Sequence, residues 1–232
     1  MIEAAQQFGW YWWTFAAIAF LAGSLPFGVI IARRRGVDIR KAGSGNPGAT
    51  NVGRVLGRRF GILCFFLDAL KGAVPVLLAG WFAGLLGAST TSNAAAWGWL
   101  LVAVAAILGH CFSPWIGFRG GKGVATGFGA VLAMWPVLTV PALAAFLVWG
   151  ITLGLTRLMS LASMAGAIVL PATVIAMSIA GEGESLGRSV PYLVVTGLIA
   201  AFVVFRHRKN LVRIRAGSEP TVRNPKNERP SA

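Results

Sequence analysis

Acidic residues are rare in this chain, and charged residues as a whole are few. Of its 232 residues, 12% are charged and seven are acidic, whereas about a quarter of an ordinary soluble domain is charged. The acids and the two histidines are scattered and lack the clustering that metal ligation needs. Two cysteines, Cys64 and Cys111, are too few for a disulfide framework. The composition therefore excludes an ordinary soluble domain and predicts neither a metal nor another cofactor.

Apolar runs of about 20 residues, long enough to cross a bilayer, recur along the chain, which is 56% hydrophobic. They predict an all-α, polytopic membrane protein with seven transmembrane helices. We expect one domain over residues 1–220 and a disordered basic tail over 221–232. No Lys or Arg precedes the first run, which is too long for a cleavable signal peptide. The predicted spans are 10–32, 60–86, 97–108 with the apolar residues after it, 124–135, a return from 136 to 156, 161–180 and 190–205.

Basic residues assign an orientation to these spans. The triple arginine after the first span places residues 33–59 in the cytoplasm by the positive-inside rule. With alternating spans, 19 of the 21 Lys and Arg residues then lie on the cytoplasmic side, and the exceptions are Lys71 inside a span and Arg188 in an outer loop. We therefore predict an outer N-terminus and a cytoplasmic C-terminus. Because the basic residues lie between apolar spans and not on one soluble module, the chain's net charge of +14 does not indicate nucleic-acid binding.

The stretch with the strongest functional signal is residues 43–54. Its glycines, proline and small polar residues predict a loop, in which successive backbone N–H groups form an anion-binding concavity. Arg54 adds a planar cation that matches phosphate geometry. A flexible linker is the alternative, and the spacing of a Walker loop is absent. The predicted substrate-binding residues are Ser44, Gly45, Asn46, Gly48, Thr50 and Asn51.

Two further stretches on the predicted cytoplasmic side carry similar chemistry. Gly120-Gly121-Lys122-Gly123 precedes the fourth predicted span, where a helix N-terminus offers free N–H groups to phosphate. The alternative for Lys122 is a topological lysine in a turn. The third stretch runs from His207 to Asn210 and continues to Glu219. We expect one composite site, with Lys122, Arg54 and His207 as catalytic residues and Gly120, Gly121, Ser160 and Asn210 as additional substrate contacts.

Several other polar residues lie inside or beside the predicted spans. Asp68 and Lys71 share a helix face at i, i+3, and ionisable groups at that depth are either paired or functional. His110 is a hydrogen-bonding spacer or a catalyst, and Arg157 is a topological anchor or a pocket residue. With Glu219, these residues are the predicted supporting set.

The chain lacks the sequence signs of covalent catalysis. It has no Gly-x-Ser-x-Gly nucleophile elbow, and neither histidine is followed by an aspartate at four- or five-residue spacing. Without a nucleophile–base pair, a covalent intermediate is not expected. The predicted chemistry therefore uses an activated, phosphate-bearing donor that the protein positions and whose charge it stabilises.

The three stretches resemble the motifs of the bacterial membrane glycerol-3-phosphate acyltransferases that use acyl phosphate as donor. Residues 43–51 with Arg54 resemble the first motif, residues 109–126 the second, and Asn210 through Glu219 the third. Asp68-x-x-Lys71-Gly72 and Arg157-x-x-Ser160 are also similar to the family pattern. The resemblance covers about residues 10–220.

This resemblance implies transfer of an acyl chain from acyl phosphate to the 1-hydroxyl of sn-glycerol 3-phosphate, giving lysophosphatidic acid and phosphate. It implies seven spans in the bacterial inner membrane, membrane lipid as a partner and an active site facing the cytoplasm. It further implies no metal, no direct use of acyl-CoA or acyl carrier protein, and a soluble phosphate acyltransferase that supplies the donor.

Two other classes of protein are alternatives. A transporter of organophosphate anions would also attract its substrate with basic cytoplasmic loops, but it predicts polar residues along several spans or an inverted repeat. A lipid-binding scaffold needs only Lys and Arg, which leaves the dense Gly/Asn loop unexplained.

Overall fold

The computed structural model describes residues 9–88, 91–181 and 186–222, and this part of the chain is helical without strands. Residues 182–185 of the predicted outer loop, residues 89–90 and most of the predicted tail (223–232) lie outside the described residues. The helices are α1 (Trp10–Gly23), α2 (Phe27–Arg33), α3 (Ala49–Leu56), α4 (Arg58–Phe82), α5 (Asn93–Cys111), α6 (Val124–Leu132), α7 (Thr139–Thr156), α8 (Met159–Ala180), α9 (Leu186–Arg206) and α10 (Arg208–Arg215), with a 3-10 turn at Pro114–Ile116.

Six segments in the described part of the chain are long and apolar enough to cross a membrane. They match the predicted spans except the fourth, for which the structure has the nine-residue helix α6. At 1.5 Å per residue α6 is only about 14 Å long, which is less than half of a hydrocarbon core of roughly 30 Å. The six spans are Trp10–Arg33, Arg58–Phe82, Asn93–Ile116, Thr139–Thr156, Met159–Ala180 and Ser189–Arg206.

The short helix α6 packs inside the bundle against neighbouring backbones. A side chain at Gly129 would collide with the carbonyl of Ala69 on α4, and one at Gly72 would collide with the carbonyl of Thr126. Pro136 follows soon after α6 ends and cannot continue a helix. A helix held by such close contacts need not match the thickness of the bilayer.

The centre of the bundle is formed by α1, α4 and α5. Trp12 and Trp99 are completely buried there, and each packs on a glycine, Gly98 and Gly80 respectively. The indole of Trp99 donates a hydrogen bond of 2.9 Å to the carbonyl of Val76. The polar edge of this buried ring is therefore satisfied, as a buried indole N–H requires.

A break between α1 and α2 positions the glycine loop. The break frees two carbonyls, and both are satisfied: Ser24 accepts from the Ser113 hydroxyl at 2.6 Å, and Leu25 accepts from the Lys71 ammonium at 2.7 Å. Beyond the break, Gly28 on α2 lies directly against the carbonyl of Pro47. The redirected helix α2 therefore carries the loop that contains Pro47.

Candidate active site

A cavity of about 420 Å³ lies where the three glycine- and asparagine-bearing stretches meet. Six cationic side chains and two acidic ones, Asp68 and Glu219, line it. The cations are Arg54, Lys122, Arg206, Arg208, Lys209 and Arg213. The polar lining also includes Ser44, Asn46, Thr50, Asn51, His110, Ser160, Ser163, His207 and Asn210. Residues of all three predicted stretches therefore line one cavity.

Asn51 organises the glycine loop from inside. This residue is 1% exposed. Its side-chain oxygen accepts from the Ser44 amide at 2.8 Å, and its side-chain nitrogen donates to the carbonyls of Ala42 and Ile39. These three hydrogen bonds hold the backbone of residues 39–44. Asn51 therefore has mainly a structural role, although it was predicted as a substrate contact.

The loop is a folded turn and not a flexible linker. Asn46 accepts from the Gly48 amide at 2.8 Å, and Gly48 directly precedes helix α3. Gly43 and Gly45 have φ of +57° and +70°, a backbone conformation that favours glycine. Gly45 is part of this turn. It was predicted as a substrate contact, but it is not among the residues that line the cavity.

Lys122 enters the cavity from the second loop. Its ammonium lies 2.5 Å from the side-chain oxygen of Asn210, so the second and third stretches are in direct contact. The amides of Gly120 and Gly121 donate to the carbonyls of Cys111 and His110, and neither glycine lines the cavity. These two glycines therefore attach the loop to α5, and their amides are not free for the predicted contact with phosphate.

The predicted helix N-terminus next to Lys122 is present. Gly123, with φ of +82°, precedes α6, and Gly123, Val124 and Ala125 line the cavity. The positive end of the α6 dipole therefore faces the cationic space.

Glu219 gathers three polar side chains at the opposite wall. One oxygen accepts from the Ser160 hydroxyl at 2.7 Å and from the Asn210 amide at 2.6 Å. The other accepts from the Arg213 guanidinium at 2.7 Å. Because Asn210 also contacts Lys122, this hydrogen-bond network extends from α8 to the second loop.

The segment around Glu219 closes one side of the cavity. Arg54 donates to the carbonyl of Pro220 at 3.2 Å, and the Val222 amide donates to the carbonyl of Arg157. Arg157 has φ of +60° at the end of α7 and is not among the lining residues. Its position agrees with the anchor interpretation and not with the pocket interpretation.

Burial and neighbouring charges shift the pKa values of three site residues. Burial lowers the pKa of Lys122 to about 8, although Glu219 opposes the shift. Burial also lowers the pKa of His207 to about 4, and the charge of Lys122 adds to this effect. For Glu219, burial raises the pKa, but the hydrogen bonds from Asn210, Ser160 and Arg213 outweigh it and leave the pKa below its ordinary value.

His207 has one ring nitrogen available to the cavity. Its Nδ1 lies 2.8 Å from the carbonyl of Val203, and because a carbonyl only accepts, Nδ1 carries the hydrogen. The lone pair therefore lies on Nε2.

Asp68 and His110 line the cavity, whereas Lys71 lies behind them. Lys71 pairs with Asp68 at 2.7 Å, so the structure contains the ion pair considered from the i, i+3 spacing. The Nδ1 atom of His110 lies 3.8 Å from the Asp68 carboxylate. In the described part of the chain, no serine that lines the cavity forms a hydrogen bond to either histidine.

Some lining residues were not predicted. Arg208 and Lys209 lie inside the third predicted stretch and Arg206 lies just before it, but none of them was predicted as a site residue, because such a basic run is also typical of a topological anchor. Phe65 and Trp149 lie within the apolar helices α4 and α7. Nothing in their local sequence distinguishes them from side chains that face lipid.

An apolar groove of about 80 Å³ adjoins the polar cavity. The two spaces share Phe65, Gly123, Val124, Trp149 and Ser163. Stacked rings form one wall of the groove, with centroid distances of 4.9 Å between Phe128 and Phe146 and 5.4 Å between Phe146 and Trp149. The combined space suits a molecule with an anionic head and an apolar tail.

The fold and the site define an integral membrane protein with a cationic cavity beside an apolar groove, a combination that suits phosphorylated lipids. The model of the family "Glycerol-3-phosphate acyltransferase" matches residues 13–217. The chain is therefore a member of the glycerol-3-phosphate acyltransferase family.

Individual relatives agree with this assignment. A glycerol-3-phosphate acyltransferase of Anaeromyxobacter sp. is 41% identical over 208 residues, covering 89% of this chain and 94% of the relative. One of Aquifex aeolicus is 41% identical over 202 residues, covering 87% and 94%.

A solved structure has the same fold. The crystal structure of PlsY (YgiH), an integral membrane glycerol 3-phosphate acyltransferase in its glycerol 3-phosphate form, is 38% identical with a TM-score of 0.76. The match covers 91% of this chain and 95% of that one. The same protein has also been solved in a lysophosphatidic acid form.

Proposed function

We propose that this enzyme transfers an acyl chain from acyl phosphate to the 1-hydroxyl of sn-glycerol 3-phosphate. The hydroxyl oxygen attacks the acyl carbonyl carbon, and the bond from this carbon to the phosphate oxygen breaks. The products are lysophosphatidic acid and inorganic phosphate. Because acyl phosphate is a mixed anhydride with a good leaving group, the reaction needs no enzyme nucleophile.

The observation that carries this proposal is the continuity between the cationic cavity and the apolar groove. Two phosphorylated substrates need two anion subsites, and the six lining cations, together with the N-termini of α3 and α6, supply more than one. The groove adjoins this space and accepts the acyl chain. The transporter alternative loses its support, because the family is one of acyltransferases and the ionisable pair Asp68–Lys71 is satisfied internally.

Each side of the cavity receives one substrate in this proposal. The loop with Ser44, Asn46, Gly48 and Thr50 holds the acyl-phosphate group. Arg54 and Lys122 neutralise phosphate charge, while Ser160, His207 and Asn210 orient glycerol 3-phosphate. Glu219 holds Ser160 and Asn210 in place through the hydrogen bonds described above.

The proton of the 1-hydroxyl goes to a substrate phosphate. With a pKa of about 4, His207 is a weaker base than a phosphate dianion, whose second pKa is about 6. Neutral His207 instead accepts a hydrogen bond at Nε2 from the hydroxyl and orients its lone pair toward the acyl carbon. His207 thus touches the reacting hydroxyl without retaining its proton.

We further propose that the chain forms one domain through about residue 220 in the bacterial inner membrane, with the cavity facing the cytoplasm. The basic loops support this orientation by the positive-inside rule. This orientation puts the N-terminus outside and the C-terminus inside, provided that α6 and the residues after it cross the membrane as a seventh span. A soluble phosphate acyltransferase would then supply the donor from the cytoplasm.

A donor-exchange assay tests the reaction. Purified protein in detergent receives palmitoyl phosphate or palmitoyl-CoA, with or without glycerol 3-phosphate, and both phosphate and lysophosphatidic acid are measured. We expect product only with palmitoyl phosphate and glycerol 3-phosphate together. Lys122→Met should abolish it, whereas Arg119→Met, at an exposed residue outside the cavity, should not. Product formed from palmitoyl-CoA would contradict the proposed donor.

A further inference from the structure

Arg206 is the last residue of α9 and contacts the loop that carries Lys122. One guanidinium nitrogen donates to the carbonyl of Gly121 at 2.5 Å and to that of Gly120 at 3.3 Å. The guanidinium carbon lies 5.8 Å from the centre of the Phe112 ring. These contacts fix Arg206 between the end of α9 and the second loop.

The loop depends on these contacts because two successive residues in it have no side chain. The amides of Gly120 and Gly121 are bonded to the end of α5, while their carbonyls are bonded by Arg206. Glycine otherwise has more backbone freedom than any other residue. With both polar groups of each glycine bonded, the position of Lys122 is restricted.

Arg206 also changes the electrostatic character of the cavity wall. Carbonyl oxygens and the C-terminal end of a helix are negative poles, and here they lie beside a space lined by cations. The positively charged guanidinium of Arg206 donates to the two glycine carbonyls and offsets their negative partial charges. Its position at the end of α9 also offsets the negative end of that helix dipole. The wall next to Lys122 thereby becomes compatible with a phosphate.

We propose that Arg206 is a positioning residue for glycerol 3-phosphate, which holds the Gly120–Gly121 backbone so that Lys122 stays against Asn210. Arg206 directly precedes His207 in the chain. It therefore also ties the loop of Lys122 to the helix end that presents His207. The assignment to glycerol 3-phosphate rests on the proposed function, whereas the hold on the loop does not.

Kinetics of three variants test the proposal. For Arg206→Met, we expect kcat/KM for glycerol 3-phosphate to fall by about 10- to 100-fold, as for the loss of hydrogen bonds from a charged group. The KM for palmitoyl phosphate should remain unchanged. Arg206→Lys should restore part of the activity, because an ammonium also donates to two carbonyls. The matched control Arg119→Met removes a charge from the same loop at an exposed position and should stay within about twofold of wild type.

Amide hydrogen exchange tests the hold on the loop without any substrate. Arg206→Met should accelerate exchange in the peptide covering 119–123 and leave the peptides of α8 unchanged, and Arg206→Lys should reduce the acceleration. Unchanged exchange in Arg206→Met, or unchanged kinetics, would overturn the proposal. If wild type makes no product from palmitoyl phosphate, the proposed donor fails, but the exchange result still decides the role of Arg206.

Discussion

The pKa of Lys122 predicts an alkaline limit to activity. Because burial lowers it to about 8, Lys122 is about 90% charged at pH 7, half charged at pH 8 and about 10% charged at pH 9. If the charged form clamps a substrate phosphate, kcat/KM for glycerol 3-phosphate falls about tenfold from pH 7 to pH 9. An ordinary lysine, with a pKa near 10.5, would remain charged over this range.

His207, Glu219 and a substrate phosphate all have pKa values below this interval. His207 has a pKa of about 4, the pKa of Glu219 is below its ordinary value, and the second pKa of a phosphate ester is about 6. The charges that face Lys122 are Glu219, Arg213, Arg54 and Arg206. A decline in this range therefore reports on Lys122.

The assay measures initial rates of lysophosphatidic acid formation at subsaturating glycerol 3-phosphate from pH 6.5 to pH 9.5. Reactions without enzyme correct for spontaneous hydrolysis of the donor. Lys122→Arg is the informative variant, because a guanidinium stays charged throughout. Whatever its absolute rate, its profile should lack the decline near pH 8. A wild-type profile that stays flat to pH 9.5, or a decline that persists in Lys122→Arg, would refute the assignment.

Three further predictions concern the surrounding structure. Lys71→Met should destabilise the protein by about 3–5 kcal/mol because it leaves the buried Asp68 charge unpaired; thermal unfolding in detergent measures this, and the double variant with Asp68→Asn should recover most of the loss. Glu219→Gln should reduce kcat/KM about 10- to 100-fold. In wild type, the stability that Glu219 contributes should be lost as the pH falls below the ordinary glutamate pKa of 4.5 and through the lower pKa of the folded state. A Gln variant with the same acid unfolding curve as wild type would contradict this. Asn51→Ala should destabilise the loop by about 1–3 kcal/mol and accelerate amide exchange at Ser44, and unchanged exchange would show that Asn51 does not hold the loop.

Local composition was enough to locate the loops. The density of glycine, proline and small polar residues in 43–51 predicts a turn whatever the tertiary context, and Gly43 and Gly45 do adopt positive φ. The glycines before α6 likewise predicted a helix N-terminus. The fourth predicted span, 124–135, was already short and begins where α6 begins. Its packing was not predictable, because α6 depends on contacts of Gly129 and Gly72 with backbones that are distant in sequence.

Individual roles within the site were less predictable than its location. Asn51 and Asn46 have the same side-chain chemistry, yet Asn51 is buried and holds three backbone groups of the loop. Arg206 and Arg119 both lie beside the end of a predicted span, but of these two arginines only Arg206 contacts the carbonyls of Gly120 and Gly121. Residue type limits what a side chain can bind, while its partner depends on which segments the fold brings together.

By itself, the sequence determined that this is an integral membrane protein with several apolar helices, and it predicted phosphate-binding chemistry in three stretches. Those properties follow from apolar length, charge distribution and local backbone preference, which act over a few residues to about twenty. Only the tertiary structure decided that Glu219 joins Ser160, Asn210 and Arg213, and that the polar cavity opens into an apolar groove. Contacts of this kind at the site join residues up to 166 positions apart, as between Arg54 and Pro220, and they form because buried polar groups must find partners wherever helix packing places them.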